Sequence, residues 1–154
     1  METIVEKTLD RSEWASGEWD NEPDKVQWQD ETGLPCLAVR SSRSGHWCGY
    51  VGVNEGHPCF GVGYDDVNVS VHGGLTYARH CKGSICHIPG EGEPDHVWWL
   101  GFDCAHCGDY SPQDAKYAER GYPFTISTEE EYRTLDYVKN ECASLARQLS
   151  DMPK

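Results

Sequence analysis

The sequence predicts an α+β fold, an antiparallel sheet of about five to six strands with a C-terminal amphipathic helix packed on one face. Two observations predict it. Tyr132, Leu135, Val138, Cys142, Leu145 and Leu149 recur at three- and four-residue intervals, the apolar stripe of one helix. Upstream, short β-like runs such as Leu34 to Arg40 and His46 to Val53 are separated by polar turns. The length of 154 residues fits a single domain, 1–154.

Taken in order, residues 1–31 form an acidic segment with ten acidic residues against three basic ones. Gly17 and Pro23 argue against one long helix there. The reading is a short strand near Thr3 to Leu9, a loop, and a strand over Lys25 to Gln29. Trp14, Trp19 and Trp28 plug the core's edge in this reading, since no basic residues interleave with them. Leu34 to Arg40 and His46 to Val53 make a hairpin around Ser41 to Gly45. Its two arginines, Arg40 and Arg43, could catch an anionic ligand, but isolated turn arginines are usually solvated and are read so.

Asn54 to Gly63 is a Gly/Pro loop, and Asp65 and Asp66 follow it. Val67, Val69 and Val71 alternate with Asn68 and Ser70, which predicts a strand and puts His72 on the Asn68/Ser70 face. Gly73-Gly74 then permits a tight turn or the close approach of a ligand. Residues 79–96 form a long loop, of the kind that is functional or tied down. Val97 to Phe102 is near-continuously apolar, as a central strand is. Asp109 to Pro123 reads as irregular or short-helical. Ser127 and Thr128 precede Glu129 to Glu131, and the Thr128/Glu131 capping box starts the last helix, about 128–150.

Composition bounds the function. Formal net charge is -13, with 13 Lys+Arg against 26 Asp+Glu, so no positive face for duplex nucleic acid is expected. An acidic face can instead dock on a basic host protein. With no apolar opening run and no long apolar span, neither membrane nor secretion is expected, and the location read is the cytoplasm. A reducing compartment favours thiols or metal ligands over disulfides among the eight Cys. Cys36, Cys48, Cys59 and Cys142 stand singly and read as core residues.

The chemistry-bearing residues collect where two strand-like runs end, at His72-Gly73-Gly74 and at Asp103-Cys104-Ala105-His106-Cys107-Gly108-Asp109. Two metal arrangements compete. Cys81-x4-Cys86 with Cys104-x2-Cys107 offers a structural zinc site. His72, Asp103, His106 and Asp109 offer an open site for a divalent metal (Zn, Mn or Mg) that polarises a phosphoryl oxygen or activates water. Without metal, His72, Asp103 and His106 can serve as acid/base groups, a carboxylate fixing the imidazole tautomer. A buried hydrogen-bond network closing two strand ends stands beside both. Asp65 and Asp66 either join the cluster across the sheet or cap a loop. Thr76 can offer a hydroxyl to a ligand, as can Tyr77. Of Trp98 and Trp99 one ring enters the core, and the other either stacks on a planar ligand or packs under the helix.

HGGLTY (72–77) and GFDCAH (101–106), with LPCLAVR and CGYVGV upstream, resemble an uncharacterised family of small bacteriophage- and prophage-encoded proteins, from about Glu22 to the C-terminal helix. The position of Cys107 is often alanine in that family, which implies that the C-x2-C pair is particular to this chain. The resemblance implies a phage accessory protein in the bacterial host cytoplasm and carries no activity. Together these readings lead to a polar pocket that binds, and with metal help hydrolyses, a small phosphorylated or nucleotide-like ligand such as a host signalling nucleotide. The alternatives are an acidic inhibitor of a host protein (anti-defence, or a nucleic-acid mimic) and a structural zinc module.

Overall fold

A computed structural model describes residues 1–121 and 130–153. Its strands are β1 (Ile4–Glu6), β2 (Lys25–Gln29), β3 (Pro35–Arg40), β4 (Trp47–Asn54), β5 (Tyr77–His80) and β6 (Val97–Asp103). They form one antiparallel sheet in the order β1-β2-β3-β4-β6-β5. A parallel pair, β7 (Asp109–Tyr110) and β8 (Glu131–Tyr132), lies apart from it, with helices α1 (Pro112–Glu119) and α2 (Leu135–Ser150). The chain is α+β, as the patterning predicts.

Register in the centre is set by rings lying over glycines. A Cβ at Gly49 would sit 2.4 Å from Phe102, and one at Gly101 would sit 2.3 Å from Tyr50. Gly49 pairs with Phe102 and Tyr50 with Gly101 across β4 and β6, so a slip of one residue would drive both rings into backbone. On the α2 face, Cys36, Ala38, Trp47, Val51, Leu100 and Phe102 pack against Val138, Cys142, Leu145 and Leu149. Burying each such Leu or Val stabilises by about 1.5–3 kcal/mol. The opposite face carries a smaller cluster of Leu37, Tyr50, Val97 and Trp99.

Loop 81–96 covers that second face and is tied to it. Gln27 holds Ile88 through both backbone groups, at 2.8 and 3.1 Å, and Cys81 is disulfide-bonded to Cys86. A β-bridge between Lys82 and Ile85 folds the loop back and brings the two sulfurs together, where thiols or zinc ligands were expected. Denatured, unreduced protein should show six titratable thiols, rising to eight after reduction; eight before reduction would contradict the pairing.

Three further expectations change. Val67 to Val71 is not a strand. Its valines do turn inward, but the segment runs along α2 as an extended strap. Ser70 N–H donates to Gln148 Oε1 (2.8 Å), Gln148 Nε2 donates to Ser70 C=O (2.9 Å), and His72 N–H donates to Glu141 Oε1 (2.8 Å). Helix side chains satisfy the backbone groups that a ladder would have used. His72 leaves the exposed Asn68/Ser70 face and is largely covered.

The last helix starts at Leu135, capped by Thr134, whose hydroxyl accepts from Tyr137 N–H at 3.2 Å. Ser127 and Thr128 lie outside the described residues, but Glu131 and Tyr132 belong to β8. The Tyr132 ring packs edge-on to Trp19, 5.0 Å away, which takes it off the helical stripe.

Arg40 is not solvated: its side chain is fully buried. It donates to Gly45 C=O (2.6 Å), Tyr132 Oη (2.9 Å) and Glu22 Oε1 (3.3 Å), and lies 3.4 Å from Asp24. Glu22 Oε2 also accepts the Leu135 N–H at 2.7 Å, putting negative charge at the α2 N-terminus. Asp24 gathers the N-terminal segment through Thr8 N–H, Leu9 N–H and Arg11. The acidic segment is thus wound around one buried cation.

Candidate functional site

The knot at the C-terminal end of β6 assembles in two halves. In the first, His72 meets Asp109, with Nε2 at 2.8 and 3.0 Å from the carboxylate oxygens, while Nδ1 is 2.7 Å from Tyr137 Oη. A carboxylate only accepts, so Nε2 carries a proton toward Asp109, and Nδ1 is matched by the Tyr137 hydroxyl. Arg133 Nε donates to Asp109 at 2.9 Å, and His106 N–H donates at 3.0 Å. Every polar atom of the His72 ring is matched.

In the second half, His106 Nε2 lies 3.2 Å from Asp103 Oδ1, out of line for a hydrogen bond. Thr76 Oγ1 donates to the other Asp103 oxygen at 2.9 Å, and Ala105 N–H donates to Oδ1 at 3.1 Å. His106 Nε2 is one of three buried side-chain polar atoms without a hydrogen bond among the described residues. The others, Tyr77 Oη and Trp99 Nε1, belong to residues of the second-face cluster.

Gly73 is what lets the halves meet. Gly74 N–H closes a turn onto Val71 C=O at 2.9 Å, with Gly73 at φ +68° in the third position, where a type II turn demands glycine. A Cβ on Gly73 would stand 2.2 Å from the His106 ring. Gly74, at φ +80°, faces open space.

His106 and Asp109 open onto a cleft of about 400 Å³ that the sequence did not foretell. Its other walls come from the Ser41–His46 turn and the start of α1. Arg40 fixes that turn from beneath through Gly45 C=O, and Gly45 (φ +84°) leaves room for Pro112, 2.7 Å from where a Cβ would be. Gln113 N–H donates to Ser44 C=O at 3.1 Å. Ser111 and Asp114 cap α1 reciprocally, at 3.0 and 3.2 Å. His46 thereby enters the cleft, with Nδ1 bonded to Ser44 Oγ. Burial holds the His46 imidazole below its usual pKa, against the pull of Asp103, Asp109 and Asp114, so it is neutral near pH 7. Two imidazoles and three carboxylates (Asp109, Asp114 and Glu130) face one space.

Other expected residues lie elsewhere. Trp98 and Trp99 sit at the opposite end of β6, about 13–17 Å of strand from Asp103. Trp98 Nε1 donates to Val62 C=O at 3.1 Å, its ring near Phe60 and His80, while Trp99 is fully buried. Neither ring reaches the cleft. Asp65 and Asp66, in a short 3-10 turn at Tyr64–Asp66, are exposed and do not join the knot. Thr76 supports Asp103 and does not line the cleft.

Neither set of expected metal ligands is arranged around a common point for an ion among the described residues. Among the described residues no group of three or more His, Cys, Asp or Glu side chains is arranged to hold an ion. His72 and Asp109 are bonded to each other. Cys81 and Cys86 are paired near the far end of β6, while Cys104 is buried and Cys107 exposed, so the four sulfurs do not meet. Burial also pushes the Cys104 thiol well above its usual pKa, away from thiolate chemistry.

The knot has an acid signature. Burial raises the Asp109 carboxyl, but hydrogen bonds from His72, Arg133 and His106 N–H outweigh it and leave the pKa below its usual value. Asp24 is lowered in the same way, by Leu9 N–H, Arg11 and Thr8 N–H against burial. A carboxyl depressed in the folded state stabilises fully above the unfolded Asp value of about 3.9 and loses that contribution as pH falls through the folded value. Stability should therefore drop steeply below about pH 4, and Asp109→Asn should flatten that slope in urea titrations. An unchanged slope would contradict the pairing.

No helix among the described residues is long and apolar enough to cross a membrane. No protein-family model, curated protein or solved structure matches the chain.

Proposed function

We propose that the protein binds a small phosphorylated or nucleotide-like ligand in the cleft between the Ser41–His46 turn, the 103–109 knot and the start of α1. One observation supports this reading: His106, held by Asp103 at 3.2 Å and seated on Gly73, lines an open polar cleft together with His46 and three carboxylates. Convergent imidazoles and carboxylates around one concavity are what a polar ligand site is built from.

The roles differ from those the residue types first suggest. His106 is the contact and acid/base group, with Asp103 as its orienter. His46, neutral and anchored by Ser44, is a second hydrogen-bonding wall. His72 is a positioning residue, bracing Asp109 from behind. A divalent metal would arrive with the ligand, sharing phosphate oxygens with Asp109, Asp114 or Glu130, and would supply Lewis-acid assistance to hydrolysis there. A phage accessory role in the host cytoplasm, consuming a signalling nucleotide, belongs to the same proposal.

The test is a thermal-shift panel of nucleotides with and without Mg²⁺, Mn²⁺ or Zn²⁺, on wild type and His106→Asn. A ligand present at about 100 times its Kd adds roughly 2.7 kcal/mol, a shift of several degrees. That shift should appear in wild type and vanish in His106→Asn. No shift in wild type would defeat the reading, and salt-sensitive capture of a basic host protein irrespective of His106 would favour the acidic-inhibitor alternative.

A further inference from the structure

Beside the His46/His106 cleft, across Gln113, lies a second cleft of about 360 Å³ with a different character. Three of the 13 Lys and Arg side chains in this acidic chain line it: Arg43, Lys116 and Arg120. Trp14 and Tyr117 are its aromatic walls, and Ser42 and Gln113 add polar groups. The turn that gives Ser44 and His46 to the first cleft gives Ser42 and Arg43 to the second. The two are adjoining compartments on either side of one turn and one helix.

We infer that this second cleft is the anion subsite of the ligand site, holding the phosphate of a nucleotide among Arg43, Lys116 and Arg120, with Trp14 and Tyr117 as walls for its planar ring. The inference rests on the function proposed above and names the ligand class for it.

Charge is the first argument. Cations gathered in one concavity of a chain at -13 oppose its overall field and suit a bare phosphate, whereas the carboxylates of the first cleft suit a phosphate that brings a divalent metal with it. Availability is the second. The Arg43 side chain is exposed and makes no ion pair or hydrogen bond among the described residues. Arg120 meets Glu13 at 3.0 Å and Lys116 meets Glu119 at 3.7 Å, both with well-solvated carboxylates. Exposed pairs of that kind are worth little and exchange readily for a doubly charged phosphate. Asp10 and Glu13 on the same rim exclude more extended polyanions. The third argument is the aromatic wall. Trp14 is steadied by Arg11 at 5.1 Å and Arg40 at 5.5 Å, so a ring docking on it meets an ordered surface.

The experiment is calorimetric titration of adenosine 5′-monophosphate and of inorganic phosphate at low salt. Titrations cover wild type, Arg43→Ala/Arg120→Ala and His106→Asn, with melting curves to check folding. The expected result is that the double-arginine variant weakens both probes about tenfold or more, the loss of one or two charge-assisted hydrogen bonds. His106→Asn should weaken the nucleotide while leaving inorganic phosphate nearly unaffected. Equal binding of both probes by wild type and the arginine variant overturns the subsite. Absence of nucleotide binding in wild type does the same. If the arginine variant loses binding while His106→Asn keeps full nucleotide affinity, the subsite stands and the His106 reading falls. If only His106→Asn loses binding, the reverse holds.

Discussion

Arg40→Ala is expected to destabilise the protein by about 3–5 kcal/mol, the largest effect of any single substitution considered. The guanidinium is fully buried and serves Glu22, Asp24, Tyr132 and the Gly45 carbonyl together. Removing it leaves Glu22 without its cation and Asp24 with Arg11 alone, and breaking a buried pair costs far more than a surface pair yields. It also frees the turn that carries His46. Arg43→Ala, three residues away and exposed, should change stability by less than about 0.5 kcal/mol. Urea denaturation of both variants decides the matter. Equal midpoints would mean that the buried cation contributes nothing.

Gly73→Ala should combine the second-largest loss of stability with loss of ligand binding. Its Cβ would meet the His106 ring at 2.2 Å, inside any allowed contact. Overpacking costs about 1–3 kcal/mol, and the left-handed backbone at φ +68° adds roughly 1–2 kcal/mol for a non-glycine residue. The ring must move, and with it the wall that His106 gives to the cleft. Gly74→Ala supplies the contrast. Its φ is +80° but nothing stands within 4 Å, so only the backbone strain of roughly 1–2 kcal/mol should appear. If both variants bound a nucleotide as wild type does, the packing of Gly73 on His106 would have no functional meaning.

Most of the sheet was legible because its strands are short, β-rich and bounded by turn residues; β2 and β3 fall where alternation and turn chemistry put them, whereas β5 (Tyr77–His80) overlaps what reads as the start of a loop. The α2 stripe was legible for the same reason, through Val138, Cys142, Leu145 and Leu149. Val67 to Val71 misled because period-2 burial reports an extended backbone, not a paired one, and here α2 side chains take the hydrogen bonds. The helix start misled because Thr134 and Thr128 are both adequate caps, and only the pairing of β8 with β7 decides between them.

At the site, the convergence of His72, His106 and Asp109 was visible in the two polar knots. Which imidazole lines the cleft was not, since that depends on Tyr137 and Asp109 taking both nitrogens of His72. His46 gave no local signal, being a lone imidazole at a strand start. Its placement follows from Arg40 gripping the turn and α1 docking on it. The Ser111-Pro112-Gln113-Asp114 cap was readable and would have found one wall of the cleft. The basic compartment joins Arg43 to Lys116 and Arg120 across more than seventy residues, beyond the reach of any local pattern.

The most direct check observes the seven imidazoles themselves, by NMR of the ring C–H signals as adenosine 5′-monophosphate and Mg²⁺ are added. The signals of His46 and His106 should move saturably, while those of His80 and His96, stacked at the other end of the sheet, stay still. Motionless His46 and His106 signals, or changes confined to His80 and His96, would contradict a ligand cleft at the C-terminal end of β6.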